Sequence, residues 1–311
     1  MSDAVSLERR RPEPPEIDAA IVPTQYRLDR LVIYGEDKST LWGLFGVFAL
    51  FSQIGELRLG RLYTLADMGF IDSSEEDNVI ETIRFPPHTE IHSLTLRSPA
   101  STFMTSLFRR WPTIRSLRAV SSEGLELRDF LCLGKILKAA GPAITRFDFN
   151  AEKALMNIRA TNFLYAESIN GWQWSQLNLA SCTFLASISF TVFFMTTVGF
   201  LWLAYIDILA TVSAKSLREI TFTICFPRDV YHQLAEDRIF HWAAMERALS
   251  RFERLQTVRF NFQLNVNIKD VGLEVYHAKL AEAGRVVDTK LPALRARGLL
   301  SFGEAHHVYD R

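Results

Sequence analysis

A six-residue pattern of apolar positions recurs along most of the chain. It has the form apolar-x-x-apolar-x-apolar, and a clear copy is residues 217–222, with Leu217, Ile220 and Phe222 at the apolar positions. The second half of this copy alternates apolar and polar residues, as a strand with one buried face does. Nine copies occur, and their first residues are Leu28, Ile54, Ile80, Ile91, Ile114, Ile144, Leu185, Leu217 and Leu255. The pattern therefore predicts a series of strands.

Most of the intervals between copies contain a run of residues with helical period. These runs are residues 41–51, 103–111, 127–140, 200–212 and 240–252. The run 127–140 has a one-sided apolar stripe and is followed by Gly141 and Pro142, which are helix-stop signals. The interval from Ile80 to Ile91 is too short to hold a helix, so one of these two copies is interpreted as an edge hairpin or a chance match.

Repeated helix–strand units favour a stacked fold, because one unit cannot bury its own apolar face whereas stacked copies share a continuous core. The pattern matches the Leu-x-x-Leu-x-Leu core of leucine-rich repeats, with longer and less regular spacing. The sequence predicts an α/β fold: an irregular leucine-rich-repeat-like solenoid with a parallel sheet on the concave face and helices on the convex face. The solenoid is expected at residues 21–302, between a charged, proline-rich tail at 1–20 and a C-terminal tail at 303–311.

Four stretches resemble the repeat region of fungal F-box/leucine-rich-repeat-like proteins. They are residues 91–96, 217–222, 242–249 with the following 255–258, and 291–300. The resemblance implies a repeat domain that selects a protein target. In that family an N-terminal F-box recruits a Skp-type adaptor and a cullin ubiquitin ligase. Residues 1–27 contain no Leu-Pro-x-Glu motif of the F-box type, so the sequence does not predict recruitment of a Skp-type adaptor.

A long uncharged stretch lies between Glu167 and Asp207. Its most apolar part, residues 184–206, reaches the length of about 20 residues that a membrane-spanning helix requires. The stretch nevertheless keeps the repeat register, since Leu185, Ile188 and Phe190 form one copy of the pattern, and serines and threonines interrupt it. The sequence favours a buried strand and helix here, and a membrane-anchored protein with a transmembrane helix is the alternative.

Composition and motifs limit the chemistry of the chain. The 311 residues include 35 basic and 35 acidic side chains, so there is no overall attraction for nucleic acid or an anionic membrane. Three separated cysteines and a charged N-terminus without a secretory signal indicate the cytoplasm or nucleus. The common nucleotide-binding, zinc-protease and nucleophile-elbow motifs do not occur. The sequence therefore predicts neither an enzyme nor a cofactor, and it treats His306 and His307 as incidental rather than metal-binding.

Candidate binding residues follow from the geometry of a solenoid. The fourth and sixth positions of the pattern are expected to face the core, and the third and fifth to face the exposed side of the sheet. The resulting candidates for binding an unknown protein partner are Arg58, Arg84, Arg118, Asp148, Glu219, Thr221 and Arg259. The arginines would form a shallow basic face for an acidic protein segment, or are simply tolerated at exposed strand positions.

Two tryptophans in the longest interval are further candidates for binding a protein. Trp172 and Trp174 lie between the copies that begin at Ile144 and Leu185. Exposed tryptophans are favoured anchors in protein interfaces, so one interpretation is that they bind a partner. The other is that they cap a neighbouring repeat.

Overall fold

The structure is a computed structural model that describes most of the chain between Tyr26 and Ala305. The described residues are 26–34, 48, 50–60, 88–97, 111, 113–123, 129–150, 174–193, 198–213, 215–226, 231–264 and 272–305. The tail at 1–20 and His306 and His307 lie outside them. Within the described residues nine strands form one sheet: β1 (Arg27–Tyr34), β2 (Gln53–Gly60), β3 (Glu90–Arg97), β4 (Ala119–Glu123), β5 (Arg146–Asn150), β6 (Ser187–Phe193), β7 (Glu219–Phe226), β8 (Thr257–Leu264) and β9 (Leu300–Glu304).

The described helices alternate with the later strands. They are α1 (Asp129–Ala140), α2 (Val198–Thr211), α3 (Asp237–Phe240), α4 (Trp242–Ser250), α5 (Leu273–Lys290) and α6 (Pro292–Ala296). Short 3-10 helices lie at Ile114–Ser116, Gly141–Ala143, Trp174–Leu177, Leu179–Ser181 and Tyr231–Ala235. The helical runs predicted at 127–140, 200–212 and 240–252 are confirmed. Residues 103–110 and most of 41–51 lie outside the described part of the chain.

The nine strands lie in the sheet in the same order as in the sequence. Each strand pairs in parallel with the strands before and after it along the chain. Seven copies of the apolar pattern coincide with strands, namely those that begin at Leu28, Ile54, Ile91, Ile144, Leu185, Leu217 and Leu255. The α/β class and the parallel sheet are therefore confirmed.

Two copies of the pattern do not match strands in the predicted way. The copy at 114–119 is out of register, because Val120, not Leu117, pairs with Leu94 and Phe147. Residues 114–116 form a 3-10 helix instead of the start of a strand. The copy at 80–85 lies outside the described residues, and β2 pairs directly with β3.

The sheet also extends further toward the C-terminus than the sequence indicates. Strand β9 pairs with β8 and continues to Glu304, past the expected end of the repeats at residue 302. The N–H of Ala305 then donates to the carbonyl of Phe262 at 3.0 Å. The pattern did not predict this strand.

One face of the sheet, which we call the covered face, packs against the helices. Its sixth pattern positions carry a row of phenylalanines on neighbouring strands: Phe149, Phe190, Phe222, Phe260 and Phe302. The rings of Phe190, Phe222 and Phe260 are stacked, with centroids 5.5 and 5.1 Å apart. Large aromatic side chains contribute strongly to burial, and their neighbouring rings add a smaller term. The row therefore joins β5 to β8 into one continuous core, and Phe302, which is 41% exposed, extends the stacking to β9.

Aromatic residues of the helices complete this core. Tyr205 of α2 stacks on Phe190 with centroids 4.5 Å apart, and Trp202 of the same helix lies 5.2 Å from Phe222. Trp242 of α4 lies 6.3 Å from Phe260. Trp202, Tyr205 and Trp242 are all essentially inaccessible to solvent. The helices are thus held on the covered face by the same aromatic row that joins the strands.

The most apolar part of the uncharged stretch, residues 184–206, is divided between a strand and a helix. It contains β6 and most of α2, a helix of 14 residues that continues to Thr211. A helix of that length is shorter than the roughly 20 residues that a bilayer requires. Within the described residues, no helix combines the length and apolar character needed to cross a membrane.

Candidate functional site

The second face of the sheet, which we call the open face, carries polar side chains in parallel rows. The helices α1, α2, α4 and α5 pack their side chains or backbone against the covered face instead. The register places the third pattern positions in one row: Arg30, Glu56, Ser93, Ala119, Arg146, Ser187, Glu219 and Thr257. The fifth positions form the next row: Val32, Arg58, Thr95, Ser121, Asp148, Ser189, Thr221, Arg259 and Ser301.

Another row, which we call the seventh-position row, lies two residues beyond the fifth position of each strand. On β2 to β9 it contains Gly60, Arg97, Glu123, Asn150, Thr191, Thr223, Asn261 and Gly303. Short hydroxyl side chains occupy the centre of the open face: Ser121, Ser189, Thr191, Thr221 and Thr223, all half-buried. Hydroxyls both donate and accept hydrogen bonds, and short side chains lose little conformational entropy when a partner binds. The centre of this face is suited to polar contacts.

Glu56 lies at the centre of a charged cluster on β1 and β2. Its carboxylate accepts a hydrogen bond from Nε of Arg30 at 2.6 Å and from Nε of Arg58 at 2.7 Å. The hydroxyl of Thr95 on β3 donates to the same carboxylate at 3.4 Å. Burial alone would raise the pKa of Glu56, but the hydrogen bonds and positive charges of Arg58 and Arg30 hold it below its usual value.

Asp148 lies in the fifth-position row, and its basic partner among the described residues is Arg146. Its carboxylate accepts from Nε of Arg146, with N–O distances of 3.2 and 2.9 Å to its two oxygens. The adjacent residues in the row are Ser121 and Ser189. Burial raises the pKa of Asp148, and the single arginine does not fully offset that effect.

The pKa values of these two carboxyl groups should therefore be shifted in opposite directions from their ordinary values. A lowered pKa in the folded state gives Glu56 a stabilising contribution that is present above its ordinary pKa and is lost as the pH falls through the lowered value. The contribution of Asp148 has the opposite sign: it is present below the ordinary pKa and is lost as the pH rises through the raised value. NMR titration of the side-chain carboxyl carbons measures both pKa values.

Variants identify the two resonances in this titration. Glu56→Gln and Asp148→Asn each remove one titrating carboxyl signal and leave a side chain of similar size. The expectation is contradicted if the pKa of Glu56 lies above the ordinary value of a glutamate, or if the pKa of Asp148 lies below the ordinary value of an aspartate.

The structure brings together five of the residues predicted from the sequence. Arg58, Asp148, Thr221 and Arg259 lie in the fifth-position row, and Glu219 lies in the adjacent third-position row. Arg259 is exposed, whereas Arg58 is partly covered. The prediction that the third and fifth positions share a face is confirmed for these strands.

Arg118 does not lie in the row with Arg58, so its predicted placement at a fifth position is wrong. The shifted register of β4 puts Ser121 at the fifth position, and Arg118 precedes the strand. Its guanidinium donates to the backbone carbonyl of Arg115 at 3.2 Å and lies 3.5 Å from that of Ala143. Arg84, the third predicted arginine of the basic face, lies outside the described residues.

Trp174 belongs to the core and is not an exposed anchor. Its ring lies 5.4 Å from Phe130 of α1 and 6.2 Å from Phe149 of β5, and the residue is only 5% exposed. The interpretation as a partner anchor is therefore wrong for Trp174, because the ring fills space between a helix and the sheet. Packing against a neighbouring repeat was the alternative. Trp172 lies outside the described residues.

Sequence reasoning missed three arginines of the open face as site residues. Arg30 and Arg146 lie in the third-position row, and Arg97 lies in the seventh-position row. The site prediction drew its arginines from the fifth positions and ended at the sixth position of the pattern, whereas β3 continues through Arg97. The alternation of side chains along a strand that is extended by one residue would have placed Arg97 on the open face.

The described residues offer little for metal or nucleophilic chemistry. No group of three or more His, Cys, Asp or Glu side chains in this part of the chain could hold a metal ion. Cys182 is fully buried, and burial raises the pKa of its thiol to about 11. A cysteine acts as a nucleophile through its thiolate, so this pKa disfavours such a role for Cys182 at neutral pH.

The open face thus brings polar side chains of neighbouring strands into one surface. Comparison with known proteins does not identify a related family. No protein-family model, no curated protein and no solved structure matches this chain.

Proposed function

We propose that this chain is a non-catalytic protein–protein interaction module, built as an irregular leucine-rich-repeat-like solenoid, whose open face binds a protein partner. The observation that carries the proposal is the open face itself. Sheets made only of parallel strands are ordinarily covered on both faces. Here the described helices lie on the covered face, and three rows of polar side chains extend over the other. A partner would provide a second layer over the face that the described helices leave uncovered.

Target selection is the role that this architecture supports best. Parallel strands that follow one another in sequence order provide an extended surface, and each strand contributes side chains at the same pattern positions. The repeat region of F-box/leucine-rich-repeat-like proteins selects targets with such a surface, and the resemblance of this chain to that region extends the proposal to the same role. Recruitment of a Skp-type adaptor is not part of the proposal.

Affinity purification of the full chain with mass spectrometry tests the proposal. The open-face variant carries Ser189→Lys and Thr221→Lys, which place two long charged side chains across the hydroxyl centre. We expect this variant to lose the specific partners of the wild-type chain, because the lysines prevent close approach to the sheet and desolvation of a charged side chain is costly.

A second double variant controls for the added charge. Ala139→Lys and Ala243→Lys introduce the same two side chains at exposed positions of α1 and α4. This variant should keep the partners. An open-face variant that folds and keeps every partner would refute the use of the open face, and recovery of a Skp-type adaptor would contradict the expectation for that adaptor.

A further inference from the structure

Charge is distributed unevenly over the three rows of the open face. The part formed by β1, β2 and β3 carries Arg30, Arg58 and Arg97, with Glu56 as the opposing charge. The part formed by β4 to β9 carries two basic and three acidic side chains: Arg146, Arg259, Glu123, Asp148 and Glu219. The N-terminal third of the open face is therefore basic within a chain that has no formal net charge.

Other acidic groups lie close to this region but outside its three rows. Asp29 and Glu90 lie near the amino ends of β1 and β3, and both are exposed. The carboxylate of Glu90 faces the imidazole of His92 at 3.6 Å. These groups limit the basic region to the middle and carboxyl ends of the three strands.

Arg30 and Arg58 are held in a fixed arrangement around Glu56. Both donate through Nε, at 2.6 and 2.7 Å, to different oxygens of the same carboxylate. The two Nη groups of each guanidinium make no other hydrogen bond with the described residues. A guanidinium donates along more than one edge of its plane, so each arginine can bind Glu56 and still offer its Nη groups to a second anion.

Neighbouring residues adapt the surface to a protein ligand. Val32 pairs in register with Arg58 and is 41% exposed, so an apolar patch lies beside the guanidinium groups. The methylene groups of a glutamate side chain can pack on valine while its carboxylate binds arginine. Arg97, one strand further and two residues along, provides a third cation for the next acidic residue.

We propose that Arg30, Arg58 and Arg97 form a site for the carboxylates of an extended, acidic segment of a protein partner. The inference rests on the proposed function, since it names the chemistry of the partner at one end of the open face. Planar guanidinium groups match carboxylates through paired hydrogen bonds. Nucleic acid is the less suitable ligand, because strong binding to phosphates needs many cations and Glu56 lies within this cluster.

Glu56 acts in this site as a positioning residue. Two arginines side by side repel each other, and the carboxylate between them offsets that repulsion while orienting both Nε groups. Without Glu56 the cluster would carry more net positive charge, but the guanidinium groups of Arg30 and Arg58 would be less well oriented. The effect of Glu56→Gln on binding therefore separates orientation from charge.

Fluorescence anisotropy with defined peptides tests the site. The probe is a fluorescein-labelled peptide of alternating Glu and Ser, and a Lys–Ser peptide of the same length is the control ligand. The wild-type chain should bind the acidic peptide saturably and more weakly as salt is added. Arg58→Gln should weaken binding about tenfold, which corresponds to the loss of one charge-assisted hydrogen bond of about 1.4 kcal/mol.

Arg259→Gln is the matched control, because Arg259 occupies the same row at the opposite end of the open face. It should change the affinity less than about twofold, since the two positions are separated by more than a Debye length of about 8 Å at physiological salt. Glu56→Gln should also weaken binding, although it adds positive charge. Tighter binding by Glu56→Gln would overturn the positioning role.

Several results would overturn the site itself while leaving the proposed function standing. These are no binding of the acidic peptide by the wild-type chain, equal losses for Arg58→Gln and Arg259→Gln, or equal binding of the Lys–Ser peptide. Tighter binding of an oligothymidylate of the same length would overturn the choice of a peptide ligand. The proposed function is tested separately by the affinity purification. That experiment changes the hydroxyl centre of the open face and leaves these arginines in place, so the two proposals can fail independently.

Discussion

Replacement of Phe222 by alanine should lower the free energy of unfolding by about 3–5 kcal/mol. Phe222 is fully buried and stacks between Phe190 and Phe260, with its ring 5.2 Å from Trp202. The substitution removes contacts with two strands and one helix and leaves a cavity that rigid aromatic neighbours cannot fill. Urea denaturation, followed by tryptophan fluorescence and by circular dichroism, measures the change.

The adjacent residue provides a control for this effect. Thr221 is in the same strand but faces the open side of the sheet, and it is half-buried. Thr221→Ala should change the free energy of unfolding by less than about 1 kcal/mol, which is the range of strand propensity. Equal effects of the two substitutions would mean that the two faces of β7 do not differ in packing as described.

Gly55→Ala should destabilise the protein by about 1–3 kcal/mol through overpacking. A Cβ atom at residue 55 would lie 2.6 Å from the backbone oxygen of Asp29 on the neighbouring strand. Backbone cannot rotate away as a side chain can, so β1 and β2 would have to separate locally. Thermal and urea denaturation of the variant measure the loss.

Gly303→Ala in β9 is the matched substitution. A Cβ atom there would lie 2.9 Å from Oδ1 of Asn261, which is a side-chain atom and can rotate away. Its cost should stay below about 1 kcal/mol, because alanine also reduces the conformational entropy of the unfolded chain. A larger loss for Gly303→Ala than for Gly55→Ala would contradict the close backbone approach between β1 and β2.

The apolar pattern predicts a strand wherever both core-facing positions are filled by apolar side chains. In β4 the sixth position is Ser122, which is fully buried. Its hydroxyl lies 3.4 Å from the carbonyl of Asp148 and accepts from the N–H of Asn150 at 3.3 Å, so a polar side chain is satisfied in the core. A pattern that requires an apolar residue at the sixth position therefore misses β4. It matches residues 114–119 instead, which begin with the 3-10 helix at Ile114–Ser116.

Strand β9 was missed for a related reason. Leu300 and Phe302 occupy its fourth and sixth positions, but the first position is Arg297. The guanidinium of Arg297 donates to the carbonyl of Phe252 at 3.3 Å, and Leu299 is the buried residue nearby. A capping contact with another part of the chain thus replaces the apolar contact, and no local pattern reports such a contact.

The candidate site was predictable to the extent that it depends on alternation along a strand. Arg58, Asp148, Thr221 and Arg259 share a row because their strands keep the same register. The cluster around Glu56 depends instead on side-chain conformations on two neighbouring strands. The position of Trp174 depends on the path of a long connection, and periodicity contains no information about either.

The order of the strands also determines how the molecule responds to local unfolding. Paired residues on neighbouring strands are between 26 (Arg27 and Gln53) and 42 (Val258 and Leu300) positions apart, so every strand depends on its immediate neighbours in the sequence. The described strands form a linear array in which each pairs with its neighbours, and in such arrays the units at the ends open most readily. The basic cluster of β1 to β3 lies at one end of this described array. An acidic segment bound across these three strands would hold them together and would raise their local stability, so recognition and stability of this end would be coupled.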